Sequence, residues 1–291
     1  MKFTHLLATI SLAAWFSAPA QAQPAAATTR TYALVAAIGS QFNVVSESAN
    51  TGSRLSQYKR STVTAPDNIL NMLALQSLDK SVQAIDPKAA RTYLMLPPPL
   101  EGRYADSRRD DEVTKILQDQ LAKLPDRANW YRIMVATPAM RPLEHDGMAS
   151  NLEGFGVFAQ PILGGSYDLG NGEVDFSKQG KVEVITPEER LVQSKTFMAP
   201  FSYIAVWIFD AKDLTLLEKQ VRYDHEKLAD PLAGVLDLTQ SLSKEFFARH
   251  MLGVIDDSVR KAVTQADRNI KRGEVEIGKV KEVQPWEKPK Q

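Results

Sequence analysis

Tyr93-Leu-Met-Leu-Pro-Pro-Pro99 and Ile133-Met-Val-Ala-Thr-Pro138 each hold a short, wholly apolar run stopped by proline, and each follows a segment with helical periodicity. Ahead of the first, Ile69, Met72, Leu75, Leu78, Val82 and Ile85 recur at steps of three and four, with Asp67 placed to cap the helix and Asp86-Pro87 to end it. Ahead of the second, Val113, Ile116, Leu117, Leu121 and Leu124 share one face, and Pro125 stops the segment. A strand with one face in water alternates polar and apolar residues, so runs without alternation are covered on both faces. Two such helix-then-strand units predict an α/β fold: a mixed sheet with a parallel core flanked by helices.

The flanking sequence extends this pattern. Residues 32–38 form another continuous apolar run, ended by Gly39-Ser40, and residues 42–45 follow closely enough to return as a hairpin. Residues 50–53 carry turn chemistry, and residues 61–64 continue the sheet or its rim. Residues 154–160 read as a strand and residues 166–190 as an exposed excursion. Residues 203–209, the turn at 210–213 and residues 214–223 predict an antiparallel C-terminal hairpin. A long C-terminal helix follows from about Leu238 to Ile270, striped by Leu242, Phe246, Met251, Ile255, Val259, Ala262 and Ala266, with Gly253 a point where it could break in two. Val275 and Ile277 alternate beyond it. The expected division is a signal peptide over 1–22, a flexible lead over 23–29, a single α/β domain over 30–272, and a tail over 273–291 that is a weak strand or disordered.

The leader is read from Lys2, the apolar stretch from Leu6 to Phe16 and the small residues Ala20 and Ala22, which predict cleavage between Ala22 and Gln23. Its apolar run is about 11 residues, and a spanning helix needs about 20. A periplasmic or secreted protein without a membrane span is expected. The chain has 291 residues with 35 basic and 35 acidic side chains, and losing Lys2 leaves a formal charge of −1. Basic residues are interspersed with acids, as in Arg108-Arg109-Asp110-Asp111-Glu112, so no stripe exists to displace phosphate counterions and nucleic acid is not expected as a partner. Hydrophobic residues at 44% suit a packed core, and the complete lack of cysteine excludes disulfides, thiolate metal sites, thiol catalysis and a lipid tether on cysteine.

The motif search returns parts but no assembled machine. Ser40 follows a buried strand, as the nucleophile of an elbow does, but lacks the second glycine and the helix of that motif. Gly165-Ser166 lacks a strand-to-helix context too. Gly154-Phe-Gly-Val-Phe-Ala159 matches the spacing of a dinucleotide fingerprint, yet Gln160-Pro161 follows where a helix N-terminus must receive the phosphates. No cofactor and no metal are therefore expected. In α/β sheets, ligand crevices lie beyond the carboxyl ends of the strands, here Gly39-Ser40, residues 97–99 and residues 137–145. The last of these gathers Thr137, Arg141, Glu144 and His145, which with the adjacent Asp146 are the candidates for acid–base or nucleophilic chemistry alongside Ser40. The bland reading of His145-Asp146-Gly147 is a polar turn. In Asp224-His225-Glu226, neighbours on an extended strand would point to opposite faces and not share an ion, so a polar loop after the hairpin is expected. His250 lies in the long helix and reads as an ordinary packed or interfacial residue.

Residues 126–138, running on through His145-Asp146-Gly147-Met148 to Gly154-Phe-Gly-Val-Phe158, resemble a family of exported proteobacterial proteins of unknown function, the likeness extending loosely from Tyr32 to Tyr223. The hairpin over 203–218 is similar to strand pairs in periplasmic accessory proteins of envelope assembly. The resemblance implies an envelope or secreted location and no particular reaction. The expectation is an exported, non-catalytic binding or envelope accessory module, with an unidentified protein or small ligand of the cell envelope as partner. The alternative is a periplasmic or secreted hydrolase using the loop around His145.

Overall fold

Strand β10 (Phe197–Asp210) organises the molecule, because its 14 residues are long enough to serve two half-sheets end to end. The computed structural model describes residues 29–47, 58–99, 109–160, 181–232 and 242–277. The leader, residues 23–28 of the lead, the turn at 50–53, residues 166–180 of the excursion, the expected helix start at Leu238 and residues 278–291 of the tail lie outside them. Within them, β1 (Thr31–Ala36), β4 (Ala90–Met95) and β5 (Arg132–Pro138) form the parallel core, with β4 and β5 on either side of β1. β5 lies antiparallel to the second half of β10, from Ile204 to Asp210. β7 (Leu152–Gln160) takes the same edge of β10 from Phe197 to Tyr203. β2 (Gln41–Glu47) runs parallel to β7 and antiparallel to β3 (Tyr58–Thr64), and the two-residue β6 (Met140–Arg141) also pairs with β7.

β5 and β7 thus stand in tandem along β10, and β1 and β2 stand in tandem beside them. The expected hairpin of residues 32–38 with 42–45 does not form. Both edges of β1 are already taken by β4 and β5, so the chain crosses Gly39-Ser40 and continues as β2 in the neighbouring half-sheet.

Two helical layers cover the first half-sheet, and they explain the continuous apolar runs. Leu34, Ala36, Ile38, Met134, Ala136, Ile204, Val206 and Ile208 face α1 (Ile69–Ile85) and α3 (Lys244–Ile277). The residues between them, Ala33, Val35, Ala37, Ile133, Val135, Ala205, Trp207 and Phe209, face α2 (Arg109–Leu121). Each strand therefore fills two cores with alternate side chains. A third core, including Val45, Met148, Leu152, Phe158, Phe197, Phe201 and Tyr203, supports the second half-sheet.

The C-terminal hairpin pairs β10 with β11 (Leu216–His225), as the sequence predicts. Three local details differ. Asp67 does not cap α1: Asp67 and Asn68 both adopt positive φ, and Asn68 at the cap position makes no side-chain capping bond. α3 is unbroken at Gly253, which lies on an exposed face, and it continues through Ile277, so Val275 and Ile277 belong to a helix and form no strand. Part of the expected excursion is a small hairpin of β8 (Val182–Ile185) and β9 (Leu191–Ser194).

Candidate functional site

Where β1 ends and its continuation leaves for the other half-sheet, the sheet opens into a cleft with a volume of about 880 Å³. Its walls follow from the topology. The strand ends of β1, β4 and β5 contribute Ile38, Gly39, Ser40, Met95, Leu96, Pro97, Pro98 and Pro138. β2 and β3 contribute Asn43, Val45, Arg60, Ser61 and Thr62, the start of β7 contributes Leu152, Glu153 and Gly154, and the approach and first turn of α1 contribute Asn68 and Asn71.

Each charge in the wall is occupied by the protein itself. Arg60 donates through Nη2 to Ser150 O at 2.6 Å and through Nη1 to Asn151 O at 3.2 Å. Glu153 is paired with Arg109 at the start of α2. Two asparagines hold the cleft open by fixing backbone. The buried Asn71 Oδ1 accepts from Ile38 N–H at 2.9 Å, so α1 secures the end of β1 where its strand pairing stops. Asn43 Nδ2 donates to Glu153 O at 2.6 Å and ties β2 to the entry of β7. The remaining surface is amide, hydroxyl, proline and aliphatic.

The sequence-predicted candidates divide among three places. Ser40 lines the cleft. Thr137 is buried in the core, its Oγ1 accepting from Trp207 Nε1–H at 2.9 Å. Arg141, Glu144, His145 and Asp146 lie on the excursion between β5 and β7, outside the cleft wall. Asp146 and Gly147 have φ of 50° and 70°, and His145 and Met148 exchange backbone hydrogen bonds, the geometry of a two-residue Asp-Gly hairpin turn. His145 Nε2 lies 3.1 Å from Asp146 Oδ2, with the two side chains 46% and 58% exposed. Glu144 turns away to accept from Tyr58 Oη at 2.9 Å on β3. Arg141 sets its guanidinium over the Tyr223 ring, 5.1 Å from the centroid.

Beneath this turn lies a polar patch that joins Arg141 and His225 to Tyr203 and Tyr223, two residues the sequence did not mark. Tyr203 and Tyr223 face each other across β10 and β11, with ring centroids 5.2 Å apart, and His225 follows on the same face of β11. The Tyr203 hydroxyl, the His225 Nδ1 and the Arg141 Nε are buried without a hydrogen-bond partner among the described residues. Burial pushes the Tyr203 pKa up to about 12, against the opposing pull of Arg141. Burial also holds His225 below its usual value, reinforced by the neighbouring Lys227 cation. Asp224, one residue earlier, points to the other face and accepts from Ser258 and Lys261 of α3. His250 makes a 2.6 Å contact through Nδ1 with Glu226 Oε2 and packs on Phe246.

Among the described residues, no histidine ring has a serine or threonine hydroxyl within hydrogen-bonding distance, and no three ligand-type side chains cluster as a metal site would. Asn43, Arg60, Asn71 and Glu153 were not foreseen as site residues. Only the strand-end rule points to their region, and it names the crevice rather than the side chains that shape it.

No family model matches the chain, and no curated protein matches it. Among solved structures, it is similar to a Xanthomonas campestris protein described under the family model DUF330, at 7% identity and a TM-score of 0.29, over 88% of this chain and 94% of that one. It is also similar to a putative neuraminyllactose-binding hemagglutinin homolog from Helicobacter pylori, at 5% identity and a TM-score of 0.31, over 85% and 91% of the two chains.

Proposed function

We propose that the chain is an exported binding module that takes an uncharged ligand in the cleft at the carboxyl ends of β1, β4 and β5. The observation that carries this reading is that both charged side chains of the wall are already engaged, Arg60 by backbone carbonyls and Glu153 by Arg109. That leaves amide, hydroxyl and aliphatic surface to meet a ligand. A charged ligand entering there would lose hydration without gaining a free counter-charge. Export is supported by the leader pattern of residues 1–22. No helix among the described residues is long and apolar enough to cross a membrane.

The hydrolase alternative has less support. His145 is exposed on a hairpin turn, its Nε2 faces Asp146, and Ser40 lies in the cleft wall away from that turn.

Thr62 lies on the exposed strand β3 and lines the cleft, so Thr62→Trp fills the space at little cost to folding. A panel of uncharged oligopeptides, neutral oligosaccharides and monoacylglycerols is screened by thermal shift. A ligand at 100 times its Kd adds about 2.7 kcal/mol of stability. A shift of several degrees in the wild type that disappears in Thr62→Trp is expected. Binding confined to charged compounds, or unchanged by Thr62→Trp, would remove the proposal. Fractionation tests export separately: the mature chain should begin at Gln23 outside the cytoplasm.

A further inference from the structure

We infer that the ligand of this cleft is an extended, uncharged stretch of polypeptide that adds to the sheet as a strand beside β4. The inference rests on the cleft reading and names the ligand class. β4 pairs only with β1 among the described residues, so its other edge carries no strand. Ala90 N–H bonds Arg30 O and Leu96 N–H bonds Ala36 O, so the strand's alternation turns the N–H and C=O groups of Arg91, Tyr93 and Met95 outward. Those groups ask for the evenly spaced donors and acceptors of another extended backbone. The outer edge leads directly to Met95, Pro97 and Pro98 in the cleft wall.

The side chains beside this edge specify the partner further. The β1–β4 register places Tyr93 and Met95 opposite Leu34 and Ala36, on the α1 side of the sheet. Met95 lines the cleft with Asn68 and Asn71, and Ile69 and Met72 share the first turn of α1 with Asn71. Tyr93, Met95, Ile69 and Met72 are 43–51% exposed, so β4 and the first turn of α1 each offer large apolar side chains to a partner. The adjacent charges are already matched: Arg91 lies 3.3 Å from Asp79, which also accepts from Tyr93 Oη at 2.7 Å, and Lys80 pairs with Asp256. A peptide with apolar residues at alternate positions and no charge fits both the spacing and the electrostatics. Of the other outer edges, β3 carries exposed Lys59, a residue that discourages strand addition, and β11 contributes nothing to the cleft wall.

The test uses the mature full-length chain and a panel of acetylated, amidated heptapeptides. Each has Val, Ile, Leu, Phe or Met at alternating positions, with Ser, Thr or Asn between them. Members of the panel should bind by calorimetry, and N-methylation of the backbone at alternate residues should weaken them at least tenfold in one of the two methylation phases. Tyr93→Pro, which deletes an outward N–H and none of the bonds to β1, should have a similar effect. Met95→Glu provides a second variant that leaves the backbone intact, and circular dichroism checks that each variant is folded. Failure of the whole panel to bind, or binding that stays within twofold after both methylations, would overturn the inference. If binding is insensitive to methylation but lost in Thr62→Trp, the strand pairing falls and the cleft reading survives. If methylation matters and Thr62→Trp does not, the pairing stands and the cleft reading falls.

Discussion

His225 couples burial to pH through a single residue. Its imidazole is held below the usual pKa of 6.5 first by desolvation and then by Lys227, with Asp146 opposing, His145 adding to the depression and Asp224 opposing weakly. In the unfolded chain the ring takes up a proton as the pH falls through about 6.5, whereas the folded chain resists to lower pH. The unfolded state binds more protons in that window, so the folded state loses relative stability as the solution is acidified. The melting temperature of the wild type should fall more between pH 8 and pH 5 than that of His225→Gln. Parallel curves would show that the ring is not buried in neutral form. The residue scale is also where the sequence was least legible. Thr137 follows an apolar strand as a catalytic group could, yet it serves Trp207; a hydroxyl needed by a distant indole leaves no local trace. At 145–148 the Asp-Gly pair does carry a local signal, since a two-residue hairpin turn needs positive φ at both central positions.

At the scale of elements, periodicity identified strands and helices well because it records burial, which acts on each segment separately. Choice of partner is another matter. Consecutive strands pair often enough to make a β1–β2 hairpin the natural expectation, and it failed because β4 and β5, contributed by later sequence, occupy both edges of β1. Gly253 likewise reads as a helix break. In the structure it has open space around it, while Met251, Val254 and Ile255 pack into the core, and that packing outweighs a glycine cost of about 1 kcal/mol. α3 also carries a polar anchor that no apolar stripe reveals. The fully buried Ser258 donates to Asp224 Oδ2 at 2.9 Å and lies 3.2 Å from Ser202 O, and Lys261 reaches Asp224 Oδ1 at 2.8 Å. Asp224→Ala removes the carboxylate shared by both side chains. It should lower stability by about 1–3 kcal/mol, mostly through Ser258, since Lys261 is partly exposed and can return to water. A urea midpoint unchanged by this substitution would show that α3 is held by its apolar stripe alone.

At the scale of the whole molecule, the decisive feature is that the two half-sheets share β10 and the continuous passage from β1 to β2. Such sharing should make them unfold together, as one cooperative unit, even though α1 and α2 cover one half and the third core supports the other. Gly156 offers a way to test this from one side. It lies on β7 in the second half-sheet, where an added Cβ would come within 2.3 Å of Asn43 O and 2.4 Å of Phe201 Cζ. Backbone on one side and a buried ring on the other leave little room to adjust, so Gly156→Ala should cost about 1–3 kcal/mol through overpacking. Trp130 and Trp207, the described tryptophans, both belong to the α2 core of the first half-sheet. Their fluorescence, read in a Trp286→Phe background so that these two rings alone contribute in the mature chain, therefore reports on the half that the substitution does not touch. If the halves are coupled, Gly156→Ala shifts the fluorescence and far-ultraviolet circular dichroism transitions to the same lower denaturant midpoint. If the fluorescence midpoint stays at the wild-type value while the dichroism transition splits, β10 spans two independent units and the cleft between them is a domain boundary.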